Sequence, residues 1–443
     1  MPKIPTSKQS QIVYVITNDF GGLTRGRGLV LPSNSSPPKS GIGWVPVNIT
    51  ITPFDTIGPN PFGPTGDIRV LPDLKTKTTF QTASGDQTIY IGDIYNIEGE
   101  RWSCCPRSIL KKAIETLEND FGLKGKAAFE HEFLLEKIPQ DESKAAPGFS
   151  LQAYLSHKEF AETLVKDLQA AGVNPELFLP EFGARQYEVP IAPADFLRAA
   201  DDAVLFREVV KQTARKLSYR ACFSPKPRLD GAGNGCHIHF SLTDKNGKPI
   251  NFDRKQPGQI SRRLGNFAAG ILNHIEALLA LTTPSVVSYH RLKPHNWSNA
   301  YACFGLQNRE ATLRICPAVS PKQNPKKIHH LEFRAADSTH SPYLALAGLI
   351  FTGIDGLRND LPAPPLVNVE PDELTLDECE QLGVRPLPTR LDESLAALRA
   401  NTVLSEAFGA EFLGAYDAMK TEEMRVVAEM PDEAVCEVYR DIY

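Results

Sequence analysis

The sequence has no CxxC pair, although it carries eight cysteines (Cys104, Cys105, Cys222, Cys236, Cys303, Cys316, Cys379 and Cys436). A zinc ribbon and a thioredoxin-like redox centre are therefore excluded, and free thiols in a reducing, cytoplasmic setting are expected. The opening residues, MPKIPTSKQS, lack the apolar run of a secretory leader. Nowhere does an apolar stretch approach the roughly 18 residues of a membrane helix. The longest, YLALAGLIFTGI, is short and broken by glycines. Basic charge is not in excess either: 48 Lys and Arg face 53 Asp and Glu, for a net charge of −5. With no basic stripe in any segment, a nucleic-acid or anionic-membrane surface is excluded, and small molecules are the expected partners. Internal repeats and low-complexity tracts are also missing. What is present is an ordinary globular composition, 42% hydrophobic and 23% charged over 443 residues, enough for two or three domains and a large core.

The first hundred residues hold short β-rich runs, QIVYVIT, WVPVNITIT, DIRVL and QTIYIGDIY, separated by Gly, Pro and Ser loops. A small sheet domain is expected there. From Ser108, behind Pro106, the period lengthens to that of helices, in SILKKAIETLENDF, HKEFAETLVKDLQAAG and PADFLRAADDAVLFREVVKQTARKL. Residues 359–390, rich in Pro and acids, read as an extended surface loop before a short helix, DESLAALRA.

Between the helical segments lie strand-like stretches with an unusual load of acids. Glu130 and Glu132 flank His131 in FEHEF, and Glu181, Glu188, His237 and Glu332 follow far along the chain. The period of a strand aims Glu130 with Glu132, His237 with His239, and Glu332 with Arg334 at one face each. Carboxylates converge inside a core only where something cationic holds them. Five Glu and one His form a hard donor set with one imidazole and no thiolate at ligand spacing, which suits Mg²⁺ or Mn²⁺ rather than Zn²⁺. The remaining histidines, His131, His290, His295, His329 and His330, are expected to be structural or solvated, and Cys104 and Cys105 to be buried thiols.

FEHEFLLE, EFGARQYEVP, GAGNGCHIHFSL, SYHRLKPHNW, NREATLRICP and LEFRAADSTHSPYLALA follow one another as the signature segments of the glutamine synthetase superfamily do, over nearly the whole chain. In character the set resembles most the γ-glutamylpolyamine synthetases and other γ-glutamylamide ligases. The resemblance implies an α+β fold, with a β-grasp-like domain over residues 1–103 and a catalytic domain with a curved antiparallel sheet over residues 104–443. It implies two or three Mg²⁺ or Mn²⁺ ions, one held by Glu132, Glu181 and Glu188, another by Glu130, His237 and Glu332. Arg291 and the backbone around Gly233 would hold glutamate. Arg309, Arg314 and Arg334 would stabilise phosphate and γ-carboxyl oxygens, and His239, Ser241 and Lys327, with Arg309 and Arg314, would touch ATP. Asp55 would serve the amine site of a neighbouring subunit in a homo-oligomer, a dodecamer of two hexameric rings.

That chemistry suits the residue types. A carboxylate becomes an amide only after its oxide is made a good leaving group, which ATP does by forming a γ-glutamyl phosphate. Such phosphoryl transfer needs positioning and charge neutralisation more than covalent help. One departure from the family pattern bears on the second step. Six residues past Arg291, where ammonium-using members carry a glutamate that helps deprotonate ammonium, this chain has Trp297. An indole is no base, but its face packs on alkyl or aryl groups and attracts a cationic amine. The expected reaction is therefore ligation of glutamate to an organic amine. The alternatives are an ammonium-dependent glutamine synthetase and a non-catalytic scaffold or metabolite sensor. Further departures are Arg185, where the GxGQxE pattern has glycine, and Ala232, where many members have asparagine.

Overall fold

The computed structural model describes residues 10–33, 35–138, 145–293, 300–320 and 322–443. Trp297, with His295 and Asn296, lies outside them. Six strands form a mixed N-terminal sheet: β1 (Ser10–Asn18), β2 (Thr24–Pro32), β3 (Ile42–Trp44), β4 (Ile68–Pro72), β5 (Thr78–Thr82) and β6 (Gly85–Tyr95). Their order is β2-β1-β6-β4-β3, with β5 also paired to β6. The alternation of QIVYVIT does what a half-buried strand requires: Val13 and Val15 point into the core while Ile12 and Tyr14 stay exposed. The helix expected from Ser108 begins at Pro106, whose missing N–H costs nothing at the first helical position, and runs to Phe121.

The larger sheet has nine strands. They are β7 (Leu123–Lys137), β8 (Leu179–Pro180), β9 (Gln186–Pro190), β10 (Ala194–Asp195), β11 (Tyr219–Cys222), β12 (Cys236–Asp244), β14 (Phe304–Leu306), β15 (Leu313–Cys316) and β16 (His330–Phe333), while β13 (Tyr301–Ala302) pairs apart with Arg385–Pro386. The order is β14-β15-β16-β12-β7-β9-β8, antiparallel throughout except for the β14/β15 pair. The fifteen-residue β7 is the spine, and along its C-terminal half buried residues (Phe129, His131, Phe133, Leu135) alternate with half-buried ones (Glu130, Glu132, Leu134, Glu136).

Helix Phe196–Lys216 packs on β7 and β11, and helix Pro342–Arg358 packs among the other helices, Phe196–Lys216 included. The second is buried along nearly its whole length, which explains the apolar run of YLALAGLIFTGI without a membrane. Among the described residues no single helix is long and apolar enough to cross one. One apolar core runs through both sheets, from Val15 and Ile91 to Phe133 and Leu344. All eight cysteines are free, and Cys104 and Cys105 are buried thiols whose pKa burial pushes up.

The loop expected over residues 359–390 is in part a helix. Leu376–Leu382 is helical, held by a capping box between Thr375 and Glu378 and ended by Gly383 at φ 67°. The T-x-x-E spacing and the following glycine carry that helix locally, and they outweigh the acidic, Pro-rich surroundings.

Candidate active site

The site is assembled by strand register. In the β7/β12 ladder Glu130 stands opposite His237, and in the β7/β9 ladder Glu132 stands opposite Glu188. Across β12/β16, His239 faces Glu332, which faces Arg314 across β15/β16. Directly opposed side chains have Cβ atoms about 4.5–5.5 Å apart, and like charges so placed repel. Glu130, Glu188 and His237 offer ligand atoms within 4.8 Å of one another, as do Glu130, His239 and Glu332. His237 Nδ1 lies 3.4 Å from Glu130 Oε2 and 3.5 Å from Glu332 Oε1. A side chain at Gly235 would sit 3.2 Å from Glu132 Oε1 and 3.3 Å from His237 Nε2, so the glycine leaves the space in which these donors meet.

Charge is unevenly compensated. Glu332 is fully buried, and its burial alone would raise its pKa; Arg334, then His239, His237 and Arg314, outweigh this and hold it far below the usual range. Arg334 donates Nη1 to Glu332 Oε1 at 2.6 Å, and Arg314 donates Nε to Oε2. Burial likewise opposes ionisation of Glu130, but His239 and His237 win and keep it charged. At Glu181 the nearby Arg309, and at Glu188 the nearby His239, are outweighed. Burial, then Glu132, raises Glu181 to about 7; burial, then Glu130, raises Glu188 to about 10. Two acids forced toward their neutral forms, in a hard oxygen set with one imidazole, fit a site whose missing charge is divalent cation. Glu130, Glu132, Glu181, Glu188, His237 and Glu332 would hold it.

This gives a prediction with a definite sign. Because Glu181 and Glu188 titrate higher in the folded chain than in the unfolded one, the native metal-free state binds the extra protons, and stability falls as pH rises. Between pH 7 and pH 9 the metal-free protein is expected to lose about 2 kcal/mol, and the stabilisation by Mg²⁺ to grow by a similar amount. Thermal melts with EDTA and with Mg²⁺ at both pH values check it; a Mg²⁺ effect that shrinks at pH 9 would contradict this account.

Among the cavities bordering β7, two take in the ExE pair. One, of about 400 Å³, is lined by Glu130, His239, Ser241, Lys327 and His330 among others. The other, of about 360 Å³, is lined by Glu132, Glu181, Lys226, Gly233 and Arg291. The structure therefore brings His239, Ser241 and Lys327 together, and separately Arg291 with Gly233. Arg291 is buried, donates Nη1 to the Ala336 carbonyl at 3.1 Å, and is backed by Gly233, whose Cβ would lie 2.9 Å from its Cγ. Arg309 is exposed, and its carbonyl accepts from Arg334 Nε at 2.9 Å; Arg314 lies against Glu332, and neither lines the nucleotide-sized cavity. Asp55, with φ 56°, is exposed and pairs with Arg25 at 3.6 Å, apart from the acids of its own chain.

Three residues of the site were not picked out from the sequence. Gln186 donates Nε2 to the Gly233 carbonyl (2.7 Å) and to Glu132 Oε2 (3.1 Å), and accepts from Gly183 N (2.9 Å), tying the acids to the glycine loop. Its signal was the GARQYE segment itself. Lys226, buried, donates to the Gly231 carbonyl at 2.7 Å. His330, expected to be structural or solvated, instead lines the larger cavity with its Nε2 2.8 Å from His239 Nδ1. His131 is structural as expected, buried and stacked on Phe206 at 4.8 Å. Arg185 occupies the left-handed region at φ 58°, where a glycine would be unstrained.

Comparison with known proteins matches the profile of the glutamine synthetase catalytic domain to residues 103–439 and that of the glutamine synthetase N-terminal domain to residues 4–102. Over 429 residues the chain is 31% identical to the gamma-glutamylpolyamine synthetase GlnA3 of Streptomyces coelicolor, covering 95% of this chain and 91% of that one. It is also 31% identical over 389 residues to the type-1 glutamine synthetase 1 of Dictyostelium discoideum, covering 83% and 76%. A solved structure described as a novel glutamine synthase homolog superposes with a TM-score of 0.89 at 39% identity, over 99% of this chain and 100% of that one.

Proposed function

This chain belongs to the glutamine synthetase family, whose members are ATP-dependent glutamate–amine ligases, and from that premise we propose that its acceptor is an organic amine: ATP + L-glutamate + R–NH₂ → γ-glutamyl amide + ADP + phosphate. The observation that carries the ligase chemistry is the position of the ExE pair. Glu130 lines the larger cavity and Glu132 the smaller, two residues apart on one strand and so about 6.6 Å from each other along it. A nucleotide in the first and an amino acid in the second would bring the γ-phosphoryl and the γ-carboxylate together over these acids. Glu130 and Glu132 would hold divalent ions there, which would supply charge neutralisation to the transferring phosphoryl group.

The chain's own residues then have separable tasks. Arg291, buried at the end of the smaller cavity, binds the α-carboxylate of glutamate. Lys327 and Ser241 bind nucleotide oxygens, and Arg309, exposed and near enough to Glu181 to favour its charged form, closes on the transferring phosphoryl. In the second step the amine attacks the γ-carbonyl carbon, the C–O bond to phosphate breaks, and the amine proton leaves. We assign the acceptor choice to Trp297 from the sequence pattern, and place Asp55 at the amine site of a neighbouring subunit within a homo-oligomeric ring. The likeness to a γ-glutamylpolyamine synthetase supports an organic acceptor, while the equal identity to a glutamine synthetase makes ammonium the competing one.

Phosphate release with ATP, Mg²⁺ and L-glutamate across ammonium, methylamine, ethylamine, ethanolamine, putrescine, spermidine and aniline, with products identified by mass spectrometry, tests this. Turnover is expected with an organic amine and at most weakly with ammonium. Trp297→Glu is expected to shift the ratio toward ammonium by about tenfold, the scale of a lost cation–π contact. Turnover with ammonium alone, or a ratio that Trp297→Glu does not move, would overturn the acceptor assignment.

A further inference from the structure

Three adjacent strands bring His239, whose Nε2 faces Glu130, together with two donors that the oxygen-rich site does not use. Cys316 on β15 stands directly opposite His330 on β16, and His239 enters from β12 on the other side of β16. One ligand atom from each of the three lies within 4.8 Å of the others, and all three residues are partly exposed. We propose that His239, Cys316 and His330 form a separate site for a borderline or soft divalent metal, Zn²⁺ in the first place, in the wall of the larger cavity.

The donor set is the first reason. One thiolate and two imidazoles are the ligands Zn²⁺ selects, whereas Mg²⁺ and Mn²⁺ prefer the carboxylates nearby. Spacing is the second. Tetrahedral Zn²⁺ with N at about 2.0–2.1 Å and S at about 2.3 Å needs N···N of about 3.3 Å and N···S of about 3.5 Å. His239 Nδ1 and His330 Nε2 now face each other at 2.8 Å, so a shift of about half an ångström admits the ion.

The third reason lies behind the ligands. A metal-binding imidazole is fixed by what its other nitrogen touches, commonly a carboxylate or a carbonyl. His330 donates Nδ1–H to the Ile328 carbonyl at 2.6 Å, which leaves Nε2 as the acceptor of the His239 Nδ1–H at 2.8 Å. His239 in turn has its other nitrogen, Nε2, 3.1 Å from Glu130 Oε1. Both rings are thus already set with the inner nitrogen toward the cluster and the outer one toward oxygen. Cys316 Sγ lies 3.6 Å from Glu332 Oε2, a carboxylate paired with Arg314 and Arg334. Coordination displaces the proton on His239 Nδ1 and the thiol proton of Cys316, and a water or a ligand oxygen fills the fourth position.

The test uses the full chain, reduced and saturated with Mg²⁺ so that the oxygen site is filled, and titrates it with Co²⁺ as the optical stand-in for Zn²⁺. A thiolate-to-cobalt charge-transfer band saturating at about one ion per chain is expected, since only a cysteine ligand gives one. Cys316→Ser should abolish the band, and His330→Gln should weaken binding at least tenfold. Without any variant, Zn²⁺ but not Mg²⁺ should slow alkylation of Cys316 by at least tenfold, read by mass spectrometry. Co²⁺ bound without the band, a band that survives Cys316→Ser, or alkylation indifferent to Zn²⁺ would each overturn the site.

Discussion

Glu188→Gln is expected to stabilise the metal-free protein and, in the same variant, to lower kcat/KM by roughly 10²–10³-fold. The two effects have one cause. Glu188 is 7% exposed and stands across the ladder from Glu132, with Glu130 and Glu181 also near, so burial and then these like charges hold it in the acid form at neutral pH. Keeping a carboxyl protonated that the unfolded chain would ionise costs free energy, of order 2 kcal/mol at pH 7. Glutamine keeps the volume and removes that cost, so the EDTA-treated variant should melt a few degrees higher. It also removes a proposed cation ligand, so the rise in melting temperature on adding Mg²⁺ should shrink, and phosphate release from ATP and glutamate should fall. A variant that is less stable without metal, with an undiminished Mg²⁺ response, would show that Glu188 is an ordinary buried acid with no share in cation binding.

The opposed signs also explain what could be read from the sequence. Glu130, Glu132, His237 and Glu332 were legible because a strand repeats every two residues, and a polar residue at every second position in an apolar run has few bland explanations. The partner of each was not legible. Nothing local says that Glu132 faces Glu188 rather than His237; that follows from the register of β7 against β9, a pairing between segments more than fifty residues apart. The same limit hid the cluster of His239, Cys316 and His330. At ligand spacing along the chain there is no thiolate, and one appears only when β15, β16 and β12 lie side by side. Gln186 was missed for another reason: an uncharged amide gives no charge signal, and its importance lies in the three groups it links. The helix at Leu376–Leu382 was legible in its caps and was outweighed by composition, which reports exposure better than it reports backbone conformation.

Arg334→Met is the substitution expected to damage both stability and turnover. Arg334 is 2% exposed and holds two groups at once, Glu332 Oε1 through Nη1 at 2.6 Å and the Arg309 carbonyl through Nε at 2.9 Å. Its loss leaves Glu332, with no exposed surface, to Arg314 and the more distant His237 and His239 rings, and breaking a buried pair by removing one partner costs about 3–5 kcal/mol. It also releases the carbonyl of Arg309, the residue proposed to act on the phosphoryl group, so kcat/KM should drop roughly 10²-fold or more. Arg334→Lys should recover part of the stability but little of the rate, because an ammonium can meet the carboxylate yet cannot keep the fork that reaches both partners. Adding Glu332→Gln to Arg334→Met separates the two roles. With the uncompensated charge gone, urea unfolding should recover by about 1–3 kcal/mol through the coupling of the pair, while turnover stays low because a cation ligand has been lost with it. If Arg334→Met alone were as stable as the native chain, Glu332 would have to be satisfied by Arg314 and the two histidines, and the arginine's task would be confined to Arg309.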